Sequence, residues 1–170
     1  MIIEIDLTKL LKEQFHLDKT IQENHQISYL ETQNERLLAL LVELGEFANT
    51  TRCFKFWSNK GRDIKERVLD EAADCLHFYL SLKISDDIHC LDDSSNNIVK
   101  VDIVGTDYDN KTLTINFNKA ISFASHEKDY KKSFEAFISV IYGLGYTWEE
   151  LEKAYYKKLG VNYERQNNNY

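Results

Sequence analysis

The amino-acid sequence predicts an all-α protein, a helical bundle with a small β-hairpin insert. The chain has no proline and only six glycines, so little interrupts helix formation. Residues 37–49 are apolar at nearly every position and are interrupted by Glu43 and Glu46. A second helical stretch, residues 69–82, carries Glu71 and Asp74 at the same spacing. Residues 98–104 and 112–117 instead alternate apolar with polar, and turn-forming residues separate them at 105–111. That pattern reads as a hairpin within an insert spanning residues 95–118.

A chain of 170 residues is long enough for one domain with its own core. Apolar residues at 43% and charged residues at 29% are the proportions of a soluble globule. There is no signal peptide and no apolar run of about 18 residues, so a cytoplasmic protein without a membrane partner is expected. Cys53, Cys75 and Cys90 are odd in number and lack metal-finger spacing, as suits free thiols in a reducing compartment. A net charge of −7 argues against a nucleic-acid partner. A nucleotide remains open, because metal ions and a few local cations can offset its phosphates.

Residues 6–21 form the first expected helix, with Leu7, Leu10, Leu17 and Ile21 near one stripe. Gln14 and Asp18 fall on that stripe, either as a pocket wall or as its solvated edge. The second helix starts between residues 28 and 35 and runs to about residue 49. On a helix of about 3.6 residues per turn, Glu43 shares a face with Ala39, Leu40 and Phe47 and so points inward. An acid there must be protonated, paired or bound to a metal.

The third helix begins at residue 63, where Asp63 and Glu66 have capping-box spacing, and runs to about residue 84. Glu71 and Asp74 are flanked by Val68, Cys75 and Phe78. Two helices bearing such pairs gather four carboxylates that repel unless cations lie between them, which defines a divalent-metal site. His77, three residues after Asp74, suits a hydrogen-bonding role beside the acids better than ligation, since magnesium prefers oxygen.

The loop at residues 50–62 mixes Arg52, Lys55, Lys60 and Arg62 with Phe54, Phe56 and Trp57. Such a mixture suits an anionic ligand with a flat ring, or its aromatics plug the helix junction. A helix over 132–142 stops at Gly143 and Gly145. Thr147 and Glu150 form a capping box that opens a last helix to about residue 159. In the tail, Lys158, Asn162 and Arg165 fall at spacings of four and three, either to grip a phosphate chain or as a solvated end.

Glu43-x-x-Glu46 followed by Glu71-x-x-Asp74 resembles the paired acidic motif of the all-α nucleoside triphosphate pyrophosphohydrolases, the MazG-like superfamily. Phe54-Lys55-x-Trp57, Asp74-x-x-His77-Phe78 and Lys158-x-x-x-Asn162-x-x-Arg165-Gln166 are similar to motifs of the dimeric dUTPases of phages, bacteria and trypanosomatids. The resemblance runs from Gln14 to Tyr170 and is weakest over residues 86–117. It implies an all-α pyrophosphatase-type bundle that cleaves dUTP to dUMP and pyrophosphate as a homodimer. Glu43, Glu46, Glu71 and Asp74 match the catalytic ligands of two or more magnesium ions. Lys55, Lys158, Asn162 and Arg165 match phosphate contacts, and Gln14, Asp18, Trp57 and His77 match residues around the nucleoside. Departures are Asp18 where some members have Asn, Leu159 where an Asn often follows the tail lysine, and Asn169 in place of a Gly. Two alternatives stay open: a related pyrophosphohydrolase of other base preference, such as for dCTP, and a regulatory role in which the insert binds a protein partner.

Overall fold

An apolar stripe runs along each helix, and the bundle forms where those stripes meet. The computed structural model describes residues 1–168, so Asn169 and Tyr170 at the end of the tail lie outside the described residues. In chain order the elements are β1 (Ile2–Asp6), α1 (Thr8–His25), α2 (Gln33–Thr51), α3 (Lys65–Asp86), β2 (Ile98–Asp102), α4 (Asn110–Ser122), α5 (Tyr130–Gly143) and α6 (Trp148–Asn167). Two short 3-10 turns precede β2, and a π-helical turn at Phe123–Glu127 follows α4. No helix among the described residues is long and apolar enough to cross a membrane.

Helix α3 is the hub, packing along α2 on one side and against α6 and α1 on others. Its buried residues include Val68, Ala72, Leu76, Tyr79 and Leu80, which fall at helical spacings on more than one face. Helix α4 packs on α5, and an aromatic cluster ties this pair to the others. Phe47 of α2 meets Phe117 of α4 at 4.9 Å and Phe137 of α5 at 5.8 Å, both edge to face. Tyr79 of α3 packs on Phe134 and Phe137, and its hydroxyl is paired with that of Ser133 at 2.7 Å. The capping box expected at Thr147 and Glu150 is present and starts α6.

The helical bundle and a small two-stranded antiparallel sheet are present, but the sheet is paired differently from the expected hairpin. Strand β2 pairs with β1, in a register that sets Ile2 opposite Asp102 and Asp6 opposite Ile98. Residues 112–117, expected as the second hairpin strand, lie inside α4. The alternation of Leu113, Ile115 and Phe117 conceals a helical pattern, because Leu113, Phe117 and Ala120 form one buried face while Ile115 stays exposed. Asp109 caps this helix by accepting from the Thr112 amide at 2.7 Å.

Two helix ends also differ from expectation. Asp63 does not cap α3, which begins at Lys65; its carboxylate pairs instead with Arg67 at 3.2 Å. Helix α6 does not stop near residue 159 but continues to Asn167, carrying Gly160 within it. Leu151, Tyr155, Lys158 and Leu159 are its buried residues, so packing on α3 and α1 sustains the helix through the glycine.

Gly143, at the end of α5, allows a close approach. A Cβ there would lie 2.2 Å from the ring of Tyr108, whose amide donates to the Gly143 carbonyl at 2.7 Å. Gly143→Ala is expected to cost about 1–3 kcal/mol through this overpacking, measured by urea unfolding. Tyr108→Ala in the same background should recover part of the overlap loss.

Candidate active site

Helices α2 and α3 lie side by side with their acids facing each other. Glu43 is half-buried and Glu46 exposed on α2, while Glu71 on α3 completes a group whose nearest oxygens all lie within 4.8 Å of one another. Burial raises the pKa of Glu43 to about 7, with the charges of Asp74, Glu46 and Glu71 adding to the effect. Glu71 and Asp74 are raised too, chiefly by burial. Three oxygen donors so close make an arrangement that suits a hard divalent cation.

The nearest fixed positive charge comes from α6. The Lys158 ammonium donates to Asp70 at 2.8 Å and lies 2.7 Å from Asp74. Burial works against its charge, but the two carboxylates prevail and raise its pKa. Arg67 lies 3.7 Å from Glu71 on the same helix. The charge of Arg165 also reaches Asp74.

A cavity of about 430 Å³ opens beside the acids, bounded by α1, α2, α3 and α6. Glu43 and Asp74 stand at its rim, Asn162 and Arg165 line it from α6, and Leu17, Ile21 and Phe78 supply apolar wall. Its size falls in the range of small-molecule sites, about 300–1,000 Å³. Gln14 and Asp18 belong to the wall, not to a solvated edge, since both are buried. A larger cavity of about 620 Å³ lies toward the other end of α3, beside Tyr79, Lys83, Asp86 and Phe134, and none of the expected site residues reaches it.

The polar wall is a continuous hydrogen-bonded chain. Gln14 donates its amide to Asp18 at 2.8 Å and presents its oxygen to His77 Nδ1 at 2.6 Å. The Tyr155 hydroxyl donates to the same oxygen at 3.2 Å, and its ring stacks on the imidazole at 4.2 Å. Asp18 also accepts from Tyr29 at 2.9 Å and Ser81 at 2.6 Å, and Arg36 lies 3.3 Å away. Burial raises the Asp18 pKa against the pull of Arg36 and these donors. Burial and the Lys158 charge push His77 down to about 3, against a smaller opposing effect of the Tyr155 backbone.

Ten of the twelve residues expected at the site are thus gathered around the acids and this cavity. Lys55 and Trp57 are not. Trp57 is 65% exposed and meets Phe54 and Phe56 edge-on, and Lys55 lies over the Phe54 ring at 5.6 Å. Sequence reasoning missed Asp70, Arg36, Ser81, Tyr29 and Tyr155. Asp70 lies one helical turn before Asp74 and Ser81 one turn beyond His77, spacings that could have flagged both. Arg36, Tyr29 and Tyr155 come from other elements and reach the site through packing.

No curated protein matches the sequence. A family model described as dUTPase matches residues 6–170. With nearly the whole chain matched and the acids, cavity and α6 cations in place, the protein belongs to the dUTPase family, the enzymes that hydrolyse dUTP.

Proposed function

We propose that Glu43, Glu46, Glu71 and Asp74 hold two or more magnesium ions and that the neighbouring cavity holds the deoxyuridine of dUTP. The closeness of the three glutamates, with Glu43 raised to about 7 by burial and by its fellow acids, carries this reading. When bound, magnesium supplies Lewis acidity to the triphosphate and offsets the carboxylate repulsion. Glu43 or Glu46 takes the proton of the attacking water. Lys158, Asn162 and Arg165, spaced along the α6 face that reaches the site, grip the phosphates and offset charge developing on the leaving group. Gln14 and His77 bound the nucleoside, and Asp18 stands behind Gln14 in the same wall.

The working unit in this reading is a homodimer. Helix α2 exposes Leu38 and Val42 on the side away from the core, and the loop after it exposes Phe56 at 93% and Trp57 at 65%. Apolar surface of this kind suits burial against a second copy. Since Lys55 and Trp57 do not line the cavity of their own chain, a partner would carry them to its neighbour's nucleotide.

Magnesium should stabilise the protein by about 2.7 kcal/mol at about a hundred times its Kd. Glu46→Ala and Asp74→Ala should each abolish the thermal shift, and a shift retained in both variants would refute the metal assignment.

The metal-free protein should also show a defined pH dependence. The folded state keeps the Glu43 proton up to about pH 7 against a usual 4.5, so this group's contribution to stability falls as pH rises through that window. His77 acts oppositely, favouring the fold increasingly as pH rises from about 3 to 6.5. Glu43→Gln should therefore gain stability relative to the unaltered protein between pH 4.5 and pH 7. Melting curves in chelator across that range measure the difference.

Leu38→Glu should shift the protein from dimer to monomer in sedimentation velocity and lower dUTP turnover with it. A variant that stays dimeric moves the interface elsewhere.

A further inference from the structure

Asp18 lies at the centre of a polar group in the cavity wall. Its carboxylate is held by four neighbours. Oδ1 accepts from Gln14, and Oδ2 accepts from Tyr29 and Ser81 and faces Arg36 at 3.3 Å. Arg36 is in turn fixed by hydrogen bonds to Ser81 and to Thr32, the latter at 3.0 Å, and by the Tyr29 ring 4.6 Å away. Asp18 is only 2% and Arg36 8% exposed, and both line the cavity.

A carboxylate surrounded by donors can only accept, so Gln14 must turn its NH2 towards Asp18 and its oxygen towards His77. That oxygen meets two neighbours, the Tyr155 hydroxyl and His77 Nδ1, and both must donate to it. The proton of a neutral imidazole then sits on Nδ1, since the partner of one ring nitrogen fixes the state of the other. His77 Nε2 is left as an acceptor. It is buried and makes no hydrogen bond, although the Tyr155 backbone lies near enough to act on the ring, and its side chain, 5% exposed, lines the cavity.

We propose that Asp18 and Arg36 are positioning residues: acting through Gln14, they hold His77 with its proton on Nδ1 and leave a bare Nε2 acceptor for an N–H or O–H donor of the bound deoxynucleoside. The inference rests on the dUTPase reading for the identity of the ligand but not for the state of the imidazole. Two groups of deoxyuridine offer such a donor, the imide N–H of uracil and the 3′-hydroxyl of the sugar. A ligand lacking the donor leaves the buried Nε2 unpaired, and a site built around a hydrogen bond rejects such a ligand strongly.

The primary test is nitrogen NMR of isotope-labelled histidine in the ligand-free full-length protein, with His77→Gln to assign the signal. The expected result is a protonated Nδ1 and a bare Nε2, whose signal moves when a non-hydrolysable dUTP analogue and magnesium are added. A proton on Nε2, directed to the Tyr155 backbone, overturns the proposal even in an enzyme fully active on dUTP, so its failure is distinct from failure of the dUTPase reading. Asp18→Leu combined with Arg36→Leu removes both charges and strands neither. Its expected effects are a mixed His77 tautomer and a KM for dUTP raised about tenfold with a smaller change in kcat. An unchanged tautomer in that folded variant overturns the relay. His77→Phe separates the two donors. Discrimination against dCTP falls about tenfold if the imide is the partner, and preference over 2′,3′-dideoxyuridine triphosphate falls by as much if the 3′-hydroxyl is. Loss of neither overturns the proposal.

Discussion

The repulsion between carboxylates on α2 and α3 shapes much of the surrounding structure. The two helices pack closely because Leu40, Leu44 and Phe47 on one and Val68, Ala72 and Leu76 on the other are buried. The same packing drives Glu43, Glu46 and Glu71 to within 4.8 Å. Hydrophobic burial thus imposes an electrostatic cost on the acids, seen in the raised pKa values of Glu43, Glu71 and Asp74. Lys158 offsets part of it from α6, which lies against α3. Carboxylates crowded in this way suit hard divalent cations.

The cavity beside the acids has a different electrostatic character along its length. At one rim stand half-buried carboxylates with the α6 cations. Its opposite wall holds a buried ion pair, Asp18 with Arg36, that is internally satisfied. Between the two lies an imidazole held neutral by burial. A triphosphate bearing a neutral sugar and base matches that order, charge at one end and hydrogen-bonding groups at the other. Buried ion pairs add little net stability because desolvation cancels much of their attraction, so the Asp18–Arg36 pair is better understood through the orientation it imposes on Gln14.

Much of this was legible from local patterns. The inward face of Glu43 followed from helical spacing alone, and the four acids could be linked because each pair repeats the same interval. The α6 start was legible because a capping box is a purely local device. What could not be read was anything decided between distant segments. Residues 112–117 fit strand and helix periods alike over so short a run, and only the continuation to Ala120 and the Asp109 cap separate the two. Strand β1 is five residues long, and its partner lies far along the chain. Arg36 carried no sequence signal because its meaning comes from Asp18 on α1 and Ser81 on α3.

The pairing of β1 with β2 bears on the order in which the molecule assembles. Residue 2 meets residue 102, so helices α1, α2 and α3 all lie within the loop that this sheet closes. The entropy of closing so long a loop must be met before its few hydrogen bonds form, which makes the sheet a late event. During synthesis the first strand must wait while the three helices that carry the acids and most of the cavity emerge. The half of the molecule that carries the acids can thus gather before the sheet clasps its two ends.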